Sequence, residues 1–502
     1  VTIIEEGVNN GAATDFDGNY VLNVQSPDAN LAVSYIGFET QIIAVKGEST
    51  VNIIMVEDLE SLEEVQVVAF SKQKKNSVIG SISTVKASEL KIPSSNLTTA
   101  FAGKIAGLIS YQRSGEPGAD NAEFFIRGVT TFGYKNNPLI LLDGLEITTE
   151  DLARLEPDNV ATFSIMKDAT ATSLYGARGA NGVILVTTKE GKKGKARVSF
   201  RYENNFSTPS QTPKFLGAVD YMRMYNQAQR MRDQSALLKY SIQQITGTEQ
   251  GLNPELYPDV DWHNELFNDF ALNKKVNLNI SGGGDVAQYY LSVSHANENG
   301  LLKVDPLSNF NNNIEIKRSN LRANINVNLS KSTEIAVKYY SLFERYNGPI
   351  DNATRIFEMV ADANPANFPK TFTPDQNTMN LSHTLFGNKG NGGYPNPYAD
   401  MVKGYKDRFK NTTLAQFELK QDLSFITEGL NIRGMGSVRT YSMNQNDRSF
   451  TPFFYGIGQL ETDLGTSNYL YQIQEGTEFL NDPNIENESN SNFYYQLVTE
   501  YN

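Results

Sequence analysis

From Ala196 onward the chain runs in segments of roughly ten residues whose side chains alternate between apolar and polar. Val198, Phe200 and Tyr202 alternate with Ser199, Arg201 and Glu203, and Val276, Leu278 and Ile280 alternate with asparagines. Tyr289, Leu291 and Val293 repeat the pattern. Its clearest form sets Leu321, Ala323, Ile325, Val327 and Leu329 against Arg322, Asn324, Asn326 and Asn328. Residues 333–344, 413–426, 429–441 and 492–502 extend it. A period of two places one set of side chains on each face of a sheet. A soluble sandwich alternates too, so the period alone does not choose the fold. The connections do. Residues 283–285, 331–332 and 427–428 are tight, while 207–273, 297–319, 345–412 and 442–491 are long. Transmembrane barrels show this asymmetry, and soluble domains rarely carry several structureless loops beyond about 15 residues. Lipid offers no hydrogen bonds, so every strand must be paired and no edge left open.

Before this region lies a different grammar. Leu97 to Leu108 is followed by Phe124-Phe-Ile-Arg-Gly128, Asn137-Pro-Leu-Ile-Leu-Leu-Asp-Gly144 and Ile165-Met-Lys-Asp-Ala169. Leu174-Tyr-Gly-Ala-Arg-Gly-Ala-Asn-Gly182 then runs into Val183-Ile-Leu-Val-Thr-Thr-Lys189. The spacing of Ala100, Lys104 and Leu108 predicts a helix stopped near Gly107. Phe124 to Arg127, Leu139 to Leu142 and Val183 to Thr187 predict short strands. Asp143-Gly144 predicts a turn. These elements make a small α/β unit.

In this order the motifs closely resemble the plug domain of TonB-dependent outer-membrane transporters. The form Lys167-Asp-Ala-Thr-Ala-Thr-Ser-Leu-Tyr-Gly-Ala-Arg-Gly-Ala-Asn-Gly182 resembles the SusC/RagA branch. The expected fold is mainly β: a transmembrane antiparallel β-barrel with an N-terminal α/β plug and a small β-sandwich ahead of it. About eight strands are legible, and a barrel of eight is filled by its own side chains, whereas plugged transporters have about 22 strands. Val1 starts inside a pattern and Phe493–Asn502 stops mid-strand. The chain is therefore expected to be the N-terminal portion of a longer protein.

Four regions are expected. Residues 1–57 read as short strands, with a turn at Thr14–Tyr20 and strands over Tyr20–Val24, Leu31–Phe38, Gln41–Val45 and Val51–Val56. They resemble the carboxypeptidase-regulatory-like sandwich that precedes the plug in SusC-type proteins, lacking its usual first strand. Residues 58–80 form a linker, 81–195 the plug, and 196–502 the first part of the barrel. Within the linker, Glu64, Val65, Gln66, Val67, Val68, Ala69 and Phe70 form an extended apolar strip resembling a TonB box. An extended segment binds by adding a strand to a partner's sheet edge.

Composition excludes several functions. The formal net charge of −13 argues against nucleic-acid binding. With no cysteine there is no disulfide, thiolate metal site or cysteine nucleophile. His263, His295 and His383 are scattered without metal-ligand spacing, and Asp15 and Asp17 lack the rest of a calcium loop. Neither a serine elbow nor a phosphate loop is present. No apolar run reaches the length of a membrane-spanning helix.

The resemblance implies a non-enzymatic importer without cofactor or metal, an integral multi-pass barrel in the outer membrane of a Gram-negative bacterium. It implies a SusD-like surface lipoprotein as lid, energy from a TonB–ExbB–ExbD complex, and dimers of transporter–lipoprotein pairs. Oligosaccharides are the expected cargo, with oligopeptides as the alternative. A siderophore or cobalamin receptor ranks lower because it should lack the N-terminal domain, and a signalling receptor would need a further domain ahead of Val1. Phe124–Arg127 should descend from the outer side and Leu139–Leu142 ascend. The loops bearing Arg113, Ser114, Glu116, Asp120 and Asn121, and Glu146 and Thr148, should then face the substrate, with 130–137 facing the periplasm. Trp262 is a candidate aromatic contact, although a structural role within its loop is expected first. Arg127 and Arg178 are expected to lock the plug by pairing with carboxylates of plug or barrel.

Overall fold

The computed structural model describes residues 1–6, 8, 10–15, 18–35, 38, 40–55, 65–68, 71–74, 82–92, 96–126, 128, 137–167, 173–306, 308–462 and 465–501. In the N-terminal unit, β1 (Thr2–Glu5), β2 (Gly11–Ala13), β3 (Asn30–Ser34) and β4 (Gln41–Ala44) form an antiparallel sheet ordered β2-β1-β3-β4. Ile3, Leu31 and Val33 make its core. Two expected strands, 20–24 and 51–56, do not join the ladder among the described residues. Their apolar side chains pack on the sheet instead, and the Tyr20 hydroxyl donates to Val51 O at 2.9 Å. In the linker, β5 (Val65–Val68) pairs antiparallel with β6 (Ser71–Lys74) as a separate hairpin.

The next unit contains β7 (Ile82–Lys86), β8 (Leu108–Gln112), β9 (Ala122–Ile126), β10 (Leu139–Leu142), β11 (Leu145–Glu146), β12 (Val160–Met166) and β13 (Val183–Thr188). Among the described residues the main sheet is ordered β11-β10-β13-β12-β7, with β8 and β9 paired beside it. Phe101, Phe163, Ile165, Leu152 and Ile184 are fully buried within it. The helix expected from Ala100 to Leu108 is a 3-10 turn over Leu97–Phe101, followed by turns and β8. Asn96 caps the turn, accepting from the Thr98 backbone and hydroxyl. Gly103 and Gly107 then take φ of 72° and 78° and break any helix. Asp143-Gly144 joins β10 to β11 with positive φ at both residues, the conformation that a two-residue hairpin requires.

Beyond residue 193 come β14 (Gly194–Ser207), β15 (Ala271–Gly283), β16 (Ala287–Asn299), β17 (Glu315–Asn328) and β18 (Thr333–Pro349). They are followed by β19 (Phe386–Gly387), β20 (Gly404–Asp422), β21 (Leu430–Ser449), β22 (Phe454–Thr462), β23 (Gly465–Gln474) and β24 (Asn484–Tyr501). Among the described residues, eight of these pair antiparallel in the order β14-β15-β16-β17-β18-β20-β21-β24. Two of the expected tight turns fall at 284–286 and 329–332, close to their predicted places, while the third is a seven-residue connection over 423–429 instead of 427–428, because β20 ends at Asp422. The long connections carry structure of their own: helices at Ala218–Arg232, Ile242–Glu249, Trp262–Leu266, Ala353–Asp362 and Pro397–Val402, and the sheet β19-β22-β23.

This eight-strand sheet is inverted relative to a soluble sheet. Arg318, Arg322, Asn320 and Asn324 of β17 are buried on one face, while Leu321 and Ile325 are exposed on the other. Phe343, Phe409, Phe417, Phe493 and Leu497 share that exposed character. A large apolar outer surface is a liability in water but is the ordinary outer surface of a membrane barrel. Among the described residues no helix is long and apolar enough to cross a membrane. The sheet is the wall of a membrane β-barrel, and the α/β unit sits against its polar inner face as a plug.

Candidate functional site

The contact between plug and wall is built from charge. Asp143, in the turn after β10, accepts from the Thr188 hydroxyl at 2.6 Å and its amide at 3.0 Å. Wall residues Lys338 and Arg322 lie 3.4 and 4.0 Å from the carboxylate. Asn324 donates to Thr188 Oγ1 at 2.8 Å and Lys189 O at 2.7 Å, tying the end of β13 to β17. Lys338 also meets Glu190 at 2.8 Å. Burial by itself pushes the Asp143 carboxyl up, but Lys338, Arg322 and the Thr188 bonds together hold it below its ordinary value of 3.8.

A second cluster flanks Pro157. Glu156 meets Lys275 at 2.6 Å, both nearly inaccessible. Asp158 meets Lys91 at 2.5 Å and Arg201 of β14 at 2.7 Å. The Tyr290 hydroxyl lies 3.0 Å from both Asp158 O and Asn159 Oδ1. Burial raises the Asp158 carboxyl, but Lys91 and Arg201 outweigh it and leave it below 3.8. Buried ion pairs gain little over an apolar contact yet cost much when one partner is removed. Such an interface holds its register and, once separated, leaves two polar surfaces that water can solvate.

A third cluster lies nearer the long connections. Asp151 meets Arg439 at 2.8 Å, and Glu150 meets Lys410 at 2.8 Å. Between them opens a cavity of about 360 Å³, lined among others by Thr148, Arg154, Glu344 and Tyr441. The loop from Arg113 to Asn121 reaches the long-connection end. Glu116 there accepts from the Thr354 amide at 3.1 Å and hydroxyl at 3.0 Å, at the start of the Ala353–Asp362 helix.

Many residues expected on the substrate side are occupied in holding the plug together. Arg113 pairs with Glu123 at 2.9 Å across the β8–β9 hairpin. Ser114 accepts from the Glu116 amide. Asp120 forms a buried pair with Arg154 at 2.9 Å, and Asn121 accepts from Asn96 at 2.8 Å. Thr148 caps the Thr149–Ala153 helix in a reciprocal box with Asp151. Glu146 pairs with Arg178, so Arg178 meets a carboxylate of the plug itself. Arg127 and the 130–136 stretch lie outside the described residues, as do Glu64, Ala69 and Phe70 of the expected TonB box; Val65–Val68 are β5. Trp262 is 3 % exposed, donates to Asn364 O at 3.3 Å and packs edge-on against Phe368, so it offers no open ring face.

The expected direction of Leu139–Leu142 requires correction. β10 runs parallel to β13, whose continuation reaches the tight-turn end, where Glu190 meets Asn326 and Gly194 pairs with Gly283. β10 therefore heads toward the tight turns, and the chain reverses only at Asp143-Gly144. Sequence reasoning also missed the wall cations Lys275, Arg322 and Lys338 as site residues. Their signal was their phase, since each is charged where the alternation turns its side chain inward.

Comparison with known proteins agrees with this architecture. Residues 74–183 match the TonB-dependent Receptor Plug Domain, and residues 1–67 match the CarboxypepD_reg-like domain. The chain is 32% identical over 337 residues to TonB-dependent receptor SusC of Bacteroides thetaiotaomicron, covering 64% of this chain and 31% of that protein. It is 30% identical over 421 residues to TonB-dependent receptor P3 of Formosa agariphila, covering 83% and 38%. The chain thus spans about a third of the length of the curated relatives it matches. Among solved structures, the RagAB peptide importer in the 'open-open' state superposes with a TM-score of 0.61 at 16% identity, over 87% of this chain and 55% of that one. That likeness concerns the fold.

Proposed function

We propose that this SusC/RagA-like TonB-dependent receptor chain, an integral β-barrel of the outer membrane, serves active import of oligosaccharides. The carrying observation is the plug itself, held to the inner wall by pairs such as Asp143–Lys338, Glu156–Lys275 and Asp158–Arg201. Ligand binds between a SusD-like surface lipoprotein and the barrel and reaches the plug loops at the long-connection end. The plug releases residues 63–70, a TonB–ExbB–ExbD complex pulls on them, and a path opens along the charged wall. No covalent chemistry takes part, and transporter–lipoprotein pairs assemble as dimers. The RagAB structure bears the name of a peptide importer, and oligopeptide import by the same cycle is the second reading.

The test is uptake by cells carrying the full-length protein, with and without residues 64–70. Loss of energised uptake with retained surface binding of the same oligosaccharide is the expected result. Uptake that persists without the segment overturns the mechanism, and uptake of peptides alone replaces the cargo.

A further inference from the structure

The long connection between β21 and β24 carries a feature that plug and wall do not use. One face of the β22–β23 hairpin is packed: Tyr455 and Leu470 are buried with Phe372 and Leu385. The other face is open. Gly456 pairs with Tyr471 and Gly458 with Tyr469, two positions apart on each strand. Each tyrosine ring lies across the glycine opposite. A Cβ at Gly458 would stand 2.6 Å from Tyr469 Cζ, and one at Gly456 would stand 2.9 Å from Tyr471 Cζ. The glycines let both rings lie flat, with one side on the strand and the other toward solvent. Tyr469 is 41% exposed and Tyr471 38%. The ring centroids are 6.2 Å apart.

We propose that Tyr469 and Tyr471 are a stacking platform on which a neutral oligosaccharide lays successive sugar rings, an assignment that rests on the glycan reading above. The apolar C–H face of a pyranose matches an aromatic face, while its hydroxyls stay at the rim. Within the hairpin, the residues that alternate onto this face beside the rings are Gly456, Gly458, Ser467 and Ile473, none of them ionised. In a chain of net charge −13, so neutral a surface suits an uncharged ligand. The two planes are tilted by 49°, following the strand twist. A rigid flat ligand meets one plane only, whereas a chain jointed at its glycosidic bonds sets one ring on each. The packed opposite face fixes the hairpin, so the platform is formed before ligand arrives.

The experiment is calorimetric titration of the full-length protein in detergent with neutral hexasaccharides of glucose, xylose and mannose in α and β linkage. Y469L/Y471L keeps the glycines covered but removes the flat faces, and Y469F/Y471F keeps the faces. Heat-resistant barrel mobility on gels checks that all variants fold. Binding by the wild type, retained in the Phe variant and weakened about tenfold or more in the Leu variant, is the expected result; tenfold corresponds to about 1.4 kcal/mol. Equal binding by the Leu variant overturns the platform and leaves the import reading intact. No binding of any neutral sugar by the wild type overturns the ligand assignment, while import is judged separately by uptake. Peptide binding that alone depends on the two rings overturns the glycan assignment as well.

Discussion

Replacing Asp143 with asparagine removes one charge and almost no volume from the plug–wall contact. The new side chain can still accept from the Thr188 amide through its oxygen. Its nitrogen, however, must donate to the Thr188 hydroxyl, an oxygen already receiving Asn324 at 2.8 Å. The larger effect falls on the cations. Lys338 keeps Glu190 at 2.8 Å, but Arg322 is 2 % exposed and retains chiefly the Tyr340 ring, 4.8 Å from its guanidinium carbon. Stranding a buried charge costs about 3–5 kcal/mol. The Arg322–Asp143 separation is already long at 4.0 Å and the Tyr340 ring remains, which lowers this to about 2–3 kcal/mol and raises the undocked population about 30- to 150-fold. Single-channel conductance of the full-length protein in planar bilayers should show the rise as more frequent openings, and hydrogen exchange should quicken in β10 and β13. Opening frequency within about threefold of wild type would limit the contribution to under about 0.7 kcal/mol and refute the assignment of Asp143 as a lock.

Two further outcomes follow from the same geometry. Asp143 and Asp158 both titrate below their ordinary value of 3.8 when docked, so they stabilise docking above that value and lose the contribution as protons return at lower pH. Conductance should therefore be flat from about pH 8 to 5 and rise below about pH 4, and a rise already at pH 6 would implicate other groups. Leu321, midway along β17 on the exposed face, tests the membrane assignment. Leu321→Arg should cost about 2–4 kcal/mol in urea-driven unfolding from lipid vesicles, and no cost would mean that this face does not meet lipid.

The wall was legible because lipid imposes a rule on every residue of a strand, so Leu321 to Leu329 reveal their phase without reference to any neighbour. The strands proved longer than their alternation at the long-connection end. β20 begins at Gly404, not 413, because Tyr405-Lys-Asp-Arg-Phe-Lys410 pairs with β18 without alternating cleanly. There the ladder is kept by backbone bonds, which leave no mark in side-chain type. The plug was legible through its glycines and its Asp-Gly turn, but the direction of β10 was not. Parallel pairing with β13 joins residues over forty positions apart, and no local pattern encodes it. The charged contacts were hidden for a related reason. Asp143 reads in sequence as a turn residue and Lys338 as a charge turned inward, but that the two meet is set only by folding.

The order of strands in the plug decides how it responds to force. β7 lies at one edge of the sheet and is the strand that directly follows the linker. In the proposed cycle, tension applied through residues 63–70 would enter this sheet at β7, whose only sheet neighbour among the described strands is β12. An edge strand pulled across its ladder unzips one residue pair at a time, a far weaker resistance than shearing all pairs at once. The load next reaches Lys91, opposite Asp158, before it bears on β10 and β13. The far end is held where β13 runs through residues 189–193 into β14. The plug is thus a tethered object with an edge strand beside the pulling point and its covalent link to the wall at the other end of its chain. In the proposed cycle, partial unravelling would clear a passage while the remainder stays moored, ready to re-form the seam when tension ends.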